Sequence, residues 1–428
     1  MSRIGNTQLI STLNNRLVLE AVRVMQPTFR ADISRRTGLK PATVTSIVND
    51  LLEQNLLREI EPAAPTPGDR PPAPSTGRFG RPPLMLELNS DARRILAIDL
   101  EPDHLRVAIT DLVGRIIHYR HQDLNRFDAP AKTIAEIQKL SRAALAVLGR
   151  QPLLGVGVSL PGLIDADQGV LLSSTNMPKW RNVPVGPMLE QALKAPVRVE
   201  RSIHLAALYE KWVNPQHQSR TIVIISLRTG VGMSLLHRGQ LYVGNSGLSG
   251  EIGHTVVDMA GRPCECGSRG CLETFVSTSA IVDRAQRMID SGRGKALARQ
   301  IRRPVDEGGG ALTPEVIYRL ARDNHEDCAE IVRDVGRYLG IAIANIINLL
   351  APHEIVVAGA IDTAEELLLQ SIREQINASA LPRSRENVVV RAASETDKLP
   401  LLGAAVLIAQ QMFELPELRH ADVDAMGA

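Results

Sequence analysis

Aromatic side chains make up only 3% of the 428 residues, so extended stacking on single-stranded bases is not an obvious theme. There are four cysteines, too few for a disulfide scaffold in so long a chain. A reducing, cytoplasmic setting is therefore expected. No run is long and apolar enough to span a bilayer, and the first residues lack a secretory-signal pattern, so no membrane role is expected. Neither sign of charge dominates. The 49 Lys and Arg residues face 47 Asp and Glu, a formal +2, which neither demands nor excludes nucleic acid. There is no clear repeat of the solenoid kind. The length exceeds one core and suffices for two or three domains.

Composition shifts sharply once. Residues 61–80, EPAAPTPGDRPPAPSTGRFG, are rich in Pro, Ala, Gly and Ser, lack apolar periodicity, and read as an exposed loop. Short helical patterns precede this stretch. After it, strands are expected at Ile95–Leu100, Leu105–Thr110, Arg115–Tyr119, Leu153–Leu160, Val197–Glu200, Thr221–Leu227 and Glu354–Val357. Helices are expected at Thr133–Leu148, Ala329–Leu350 and Pro400–Met412. Such alternation predicts a two-lobed α/β domain over 91–428, behind a separate domain over 1–90.

The first ninety residues read as a DNA-binding helix-turn-helix. Leu17, Val18, Ala21, Val22 and Val24 give one apolar helix face, and Thr28 is placed to cap a second helix carrying Ile33. A tight turn is expected at Gly38, and Pro41 opens a third helix. Val44, Ile47, Val48, Leu51 and Leu52 face the core, which leaves Ala42, Thr43, Thr45, Ser46 and Asn49 outward. Of these, Thr43, Thr45, Ser46 and Asn49 are candidate base readers in a major groove. Leu56–Ile60 and Leu84–Leu88 would pair as a wing with the Pro-rich stretch as its tip. Arg36, Lys40 and Arg81 are candidate phosphate or minor-groove contacts, with Arg78 beside them. A small helical protein-binding module is the plainer alternative. A single such unit reads few bases, so a homodimer or homotetramer on operator DNA is expected. The link around Asn89–Arg94 is the expected route between the two parts.

GHTVVDMAGRPCECGSRGCLETF carries the sharpest chemical signal. His254, Cys264, Cys266 and Cys271 follow an H-x9-C-x-C-x4-C spacing and form a full tetrahedral zinc set. Four protein ligands leave no open position, so the expected Zn2+ is structural. Cys328 stands alone and reads as a core residue.

This zinc block, with RADISRRTGLKPATVTSIVNDLLEQNLL near the N-terminus, resembles the ROK family, and most closely its repressor branch of N-acetylglucosamine and xylose repressors. The resemblance implies an N-terminal winged helix-turn-helix followed by a two-lobed actin-like ATPase fold of the ROK sugar-kinase type. It also implies a structural zinc and a sugar pocket in the cleft. By the same resemblance, the kinase parts are degraded. Asp99-Leu100-Glu101-Pro102-Asp103-His104 stands where the family has a Gly-Gly-Thr phosphate loop. Arg228-Thr229-Gly230-Val231-Gly232 replaces the first glycine of a second phosphate loop, and Ala358-Gly359-Ala360 is short of glycine at the adenosine side. Ser202, in Glu200-Arg201-Ser202-Ile203-His204, occupies the place of the catalytic aspartate, with His204 the only substitute base nearby. The sugar side is better kept, with Pro161, Gly162, Asn176, Glu251, His254 and Glu273 at family positions. Arg201 and Ser202 complete the expected ligand set, Arg201 either facing an acidic sugar or turned outward. A non-enzymatic repressor of carbohydrate genes, relieved by a sugar effector, is the resulting expectation. A sugar kinase with a DNA-binding appendage and a repressor controlled by a protein partner are the alternatives.

Overall fold

The computed structural model describes residues 2–61, 84–149, 151–244, 247–302, 312–359, 361, 364–394 and 397–413. Arg78, Arg81, most of the Pro-rich stretch and Ala360 lie outside them. The N-terminal part comprises α1 (Ser2–Met25), α2 (Arg30–Thr37), α3 (Pro41–Glu53), β1 (Leu57–Ile60) and β2 (Met85–Leu88). The first lobe holds β3 (Arg94–Leu100), β4 (His104–Thr110), β5 (Ile116–Asp123), α4 (Pro130–Leu145) and β6 (Leu153–Leu160). It continues with β7 (Leu163–Asp165), β8 (Val170–Ser173), β9 (Arg181–Val183), α5 (Val185–Leu193), β10 (Val197–Arg201) and α6 (Ser202–Val213). The second lobe begins with β11 (Thr221–Leu227), β12 (Val231–His237), β13 (Gln240–Tyr242), α7 (Glu273–Val276) and α8 (Thr278–Asp290). It is completed by α9 (Lys295–Arg302), α10 (Pro314–Arg322), α11 (Glu326–Leu350), β14 (Glu354–Gly359), α12 (Glu365–Ser379), α13 (Pro382–Arg385) and β15 (Val389–Ala392). The helix α14 (Leu399–Phe413) then returns to the first lobe.

Helix α3 forms where its apolar positions demand. Val44, Ile47, Val48 and Leu51 are buried, and Pro41 sits in the first turn after Lys40. Gly38 makes the turn at φ 72°, and its N–H reaches the Ser34 carbonyl at 2.9 Å. Thr28 does not cap α2. Phe29 holds that position without a side-chain hydrogen bond. Thr28 is buried instead and exchanges backbone hydrogen bonds with Leu86 at 3.0 and 2.7 Å. An extended segment wanting a sheet partner thus wins over local capping. β1 pairs with β2 in antiparallel register, Leu57 opposite Leu88.

The lobes repeat one topology that no repeat in the sequence announced. Their sheets run β10-β6-β3-β4-β5 and β13-β12-β11-β14-β15. In each, the three strands first in sequence are antiparallel and two later strands add in parallel through helical crossovers. The strand expected at Arg115–Tyr119 lies at Ile116–Asp123, and the helix expected at Thr133–Leu148 lies at Pro130–Leu145. Cys328 is buried in the second-lobe core beside Ile331 and Val332.

The winged helix shares a core with the first lobe. Val18, Val22 and Val44 belong to the same buried cluster as Ala404, Ala405 and Phe413 of α14. At this joint the Arg23 guanidinium lies 3.8 Å from the Trp212 ring centroid and donates to the Trp212 carbonyl at 3.1 Å. Trp212 meets Phe413 edge-on at 5.3 Å. The link at Asn89–Arg94 is ordered too, with Ala92 buried, but the sequence pattern did not disclose the joint between α1, α6 and α14.

An ionic network ties the lobes. Asp99, fully buried, accepts from Ser159 Oγ at 2.6 Å and faces Arg228 at 3.6 Å and Arg106 at 3.8 Å. Arg228 comes from the second lobe. It also faces Glu101 at 3.5 Å and donates to the Asp397 carbonyl at 2.6 Å. Arg106 holds Asp397 through its carbonyl at 2.6 Å and its carboxylate at 2.7 Å. Burial pushes the Glu101 carboxyl up from 4.5 to about 7, with Arg228 opposing the shift and Asp99 adding to it. The folded protein therefore holds a proton that the unfolded chain releases over this range, so the contribution of Glu101 to stability is complete below pH 4.5 and lost as pH rises through about 7. Glu101→Gln cannot ionise, so its stability relative to the parent should rise between about pH 5 and about pH 8 in urea denaturation. An unchanged difference between the two pH values contradicts this assignment.

Candidate functional site

The cleft between the lobes gathers every residue expected to face a sugar. Pro161, Gly162, Asn176, Arg201, Ser202, Glu251, His254 and Glu273 line one cavity, together with Glu101, Arg228 and Gly230. Pro161 and Gly162 follow β6, where Gly162 turns at φ 106°. A Cβ there would meet the Ser173 carbonyl oxygen at 2.3 Å, so only glycine permits the close approach. Arg201 ends β10 and Ser202 opens α6. Glu251 and His254 belong to the loop after β13, and Glu273 begins α7.

Arg201 is turned into the cleft, not outward. Its Nη1 donates to the carbonyls of Gly247 at 2.7 Å and Ser249 at 3.0 Å, and its Nη2 pairs with the Glu251 carboxylate. Its charge is thereby committed to ordering the Glu251 loop. Glu273 Oε2 accepts from Val231 N at 2.9 Å, and burial raises its pKa against the pull of that hydrogen bond. A Cβ on Gly230 would lie 3.0 Å from Asn176 Nδ2 and 3.4 Å from Glu273 Oε2. Donor and acceptor thus converge across a bare backbone, an arrangement suited to vicinal hydroxyls. His204 is buried against Glu200, with Nδ1 3.0 Å from Oε1, and does not line the cavity. It is not positioned as a replacement base. Sequence reasoning missed the network of Asp99, Arg106 and Asp397. An acid inside the apolar strand RILAIDL was the available signal.

His254, Cys264, Cys266 and Cys271 come together, with all four ligand atoms within 4.8 Å of one another. His254 Nδ1 lies 3.7 Å from Cys264 Sγ, and Cys266 Sγ lies 3.7 Å from Cys271 Sγ. Metal–sulfur bonds of about 2.3 Å in a tetrahedron give edges of about 3.8 Å, so the spacing fits a tetrahedral metal ion. The loop folds this tightly because Gly270 sits at φ 70°, where a Cβ would strike the Asp258 carbonyl oxygen at 1.7 Å.

A second surface lies on α3. Thr45, Ser46 and Asn49 are exposed and Thr43 is half-buried, on the side opposite the core. The Thr45 hydroxyl donates to the Pro41 carbonyl at 2.9 Å. Arg36 and Lys40 are exposed at the preceding turn. Among the described residues no helix is long and apolar enough to cross a membrane.

The model of the ROK family matches residues 95–411. The xylose repressor of Caldicellulosiruptor bescii is 26% identical over 417 residues, covering 97% of this chain and all of that protein. The crystal structure of a ROK family transcriptional regulator, a homologue of the Escherichia coli MLC protein, superposes with a TM-score of 0.74 at 27% identity, over 95% of this chain and 98% of that one. A ROK family glucokinase from Streptomyces griseus, in complex with glucose and AMPPNP, matches 73% of this chain and 98% of its own at a TM-score of 0.64 and 25% identity. The chain belongs to the ROK family, and its fold is that of ROK regulators and kinases.

Proposed function

We propose that the chain is a DNA-binding transcriptional regulator, a repressor of carbohydrate-uptake or catabolic genes that a sugar bound in the cleft releases from DNA. The observation that carries the reading is Arg228. A phosphoryl-transfer site needs room and positive charge for the migrating phosphate. Here the cation at that position is taken up by the Asp99 carboxylate at 3.6 Å and the Asp397 carbonyl at 2.6 Å. Ser202 supplies only an unactivated hydroxyl where a base is required. These features support a cleft that binds a sugar and does not phosphorylate it. The named role of the xylose repressor, similar over nearly the whole chain, supports the same reading.

In this proposal residues 1–90 read DNA and residues 91–428 bind effector and oligomerise. Thr43, Thr45, Ser46 and Asn49 meet base edges, while Arg36, Lys40 and Arg81 meet the backbone or minor groove. Two copies on a two-fold site supply the specificity one helix lacks. The sugar acts by binding more tightly to the state whose recognition helices are out of register. The His254, Cys264, Cys266 and Cys271 set holds a structural zinc that rigidifies the segment between Glu251 and Glu273.

Selection from a random duplex pool with the full chain tests the reader. A two-fold-symmetric site should emerge. Lys40→Ala should weaken binding to it and lower the slope of log affinity against log salt by about one. Recovery of no preferred duplex, or an unchanged slope, sinks this part. Metal analysis of freshly purified protein should find about one zinc per chain, lost in Cys264→Ser. Metal-free protein of native stability would remove the zinc assignment.

A further inference from the structure

The sugar-lining cavity, about 110 Å3, does not end at Asn176 and Glu273. The same two side chains form the wall of a second chamber of about 310 Å3, which runs between the zinc loop and the start of α8. The two spaces therefore share a wall made of groups placed to touch a sugar in the inner cavity. A monosaccharide seated at the inner position leaves the larger outer space to solvent.

The chemistry of the outer chamber narrows its occupant. Thr229 and Ser279 bring hydroxyls, Glu265 and Asp283 carboxylates, and Arg126 and Arg262 guanidinium groups. Asp283 is already held by Arg262 at 3.9 Å and Arg287 at 3.3 Å. With Glu273 on the shared wall, acids outnumber bases among the described lining residues, so a phosphate is poorly matched. Among the described residues no aromatic ring and no long aliphatic chain lines the chamber, so an apolar group is matched no better. Interleaved donors and acceptors of both signs suit a neutral polyol. The rim is ordered, since Ser277 is buried and its Oγ caps α8 by accepting from Ala280 N at 3.3 Å.

We infer that the chamber beyond Asn176 and Glu273 is a second glycosyl subsite, so that the effector is a disaccharide or comparable glycoside whose second sugar unit reaches toward Ser279 and Asp283. This inference rests on the sugar-binding reading of the inner cleft and names the class of ligand for it.

Calorimetric titration of the full chain tests it. The probes are xylose, glucose and N-acetylglucosamine, and the disaccharides xylobiose, cellobiose, maltose and diacetylchitobiose. At least one disaccharide should bind about tenfold tighter than its own monosaccharide, the gain of one or two net hydrogen bonds. Ser279 is exposed, so Ser279→Trp can fill the chamber without disturbing the core. It should remove the disaccharide increment and leave monosaccharide affinity unchanged. Asp283→Ala, at a carboxylate that is also exposed, should lower disaccharide affinity alone. If monosaccharides bind and no disaccharide binds tighter, the second subsite is overturned and the inner pocket stands. Equal loss of both ligand classes in Ser279→Trp or Asp283→Ala overturns it as well. If no sugar binds at all, the sugar-effector reading falls together with it.

Discussion

The packing of α14 is the constraint on which the rest of the molecule depends. LPLLGAAVLIAQQMF carries no charge and is buried on almost every side, as a helix apolar all round must be. It lies against β6 and β3 on one flank and α6 on another. Glycines allow the approach. A Cβ on Gly157 would meet the Ala404 carbonyl oxygen at 1.9 Å, and one on Gly403 the Leu205 carbonyl oxygen at 2.0 Å. Fifteen residues make a rod about 22 Å long. One end begins beside Asp397, held by Arg106 and Arg228 at the cleft. The other ends at Phe413, beside Trp212 and Arg23 under the winged helix. Cleft and winged helix are thus fixed to opposite ends of one close-packed element, and close-packed cores switch between discrete arrangements more readily than they bend.

Charge ties the two lobes together at the cleft. The two lobes are bridged from within by Arg228 and Arg106 acting on Asp99, Glu101 and Asp397. Buried ion pairs add little net stability, because desolvation offsets their attraction. What they add here is a defined seating of one lobe on the other. Arg201 does similar work locally by holding the loop that carries Glu251. The cost of such an arrangement is sensitivity. Removing one partner leaves a buried charge uncompensated.

Much of this was legible in the residues. The gathering of His254, Cys264, Cys266 and Cys271 was readable because three cysteines and a histidine at so short a spacing suit a metal ion. The strands over Leu153–Leu160 and Thr221–Leu227 fell where their apolar runs ended at Pro161 and Arg228. The outward face of α3 followed from the helical period of Val44, Ile47, Val48 and Leu51. What stayed hidden depends on distant partners. Thr28 looked like a cap until Leu86 supplied a strand to pair with. The direction of Arg201 depended on carbonyls at Gly247 and Ser249, more than forty residues away. The outer chamber joins Arg126, Asn176 and Ser279 from segments with no common pattern. The joint at Arg23 and Trp212 spans 189 positions and left no local trace.

Sugar occupancy should reach the winged helix through the seam of α1, α6 and α14, where Arg23 and Phe413 meet Trp212. The most direct measurement is the DNA affinity of the full chain with and without the tightest-binding sugar of the titrated panel, compared with Arg23→Met. The substitution keeps an apolar stem over Trp212 but removes the guanidinium that ties α1 to the Trp212 carbonyl. The unmodified protein should lose about tenfold or more in DNA affinity when the sugar is bound. Arg23→Met should bind DNA normally without sugar and bind the sugar normally, yet show a ratio close to one. A sugar response in Arg23→Met as large as in the unmodified protein would contradict the account.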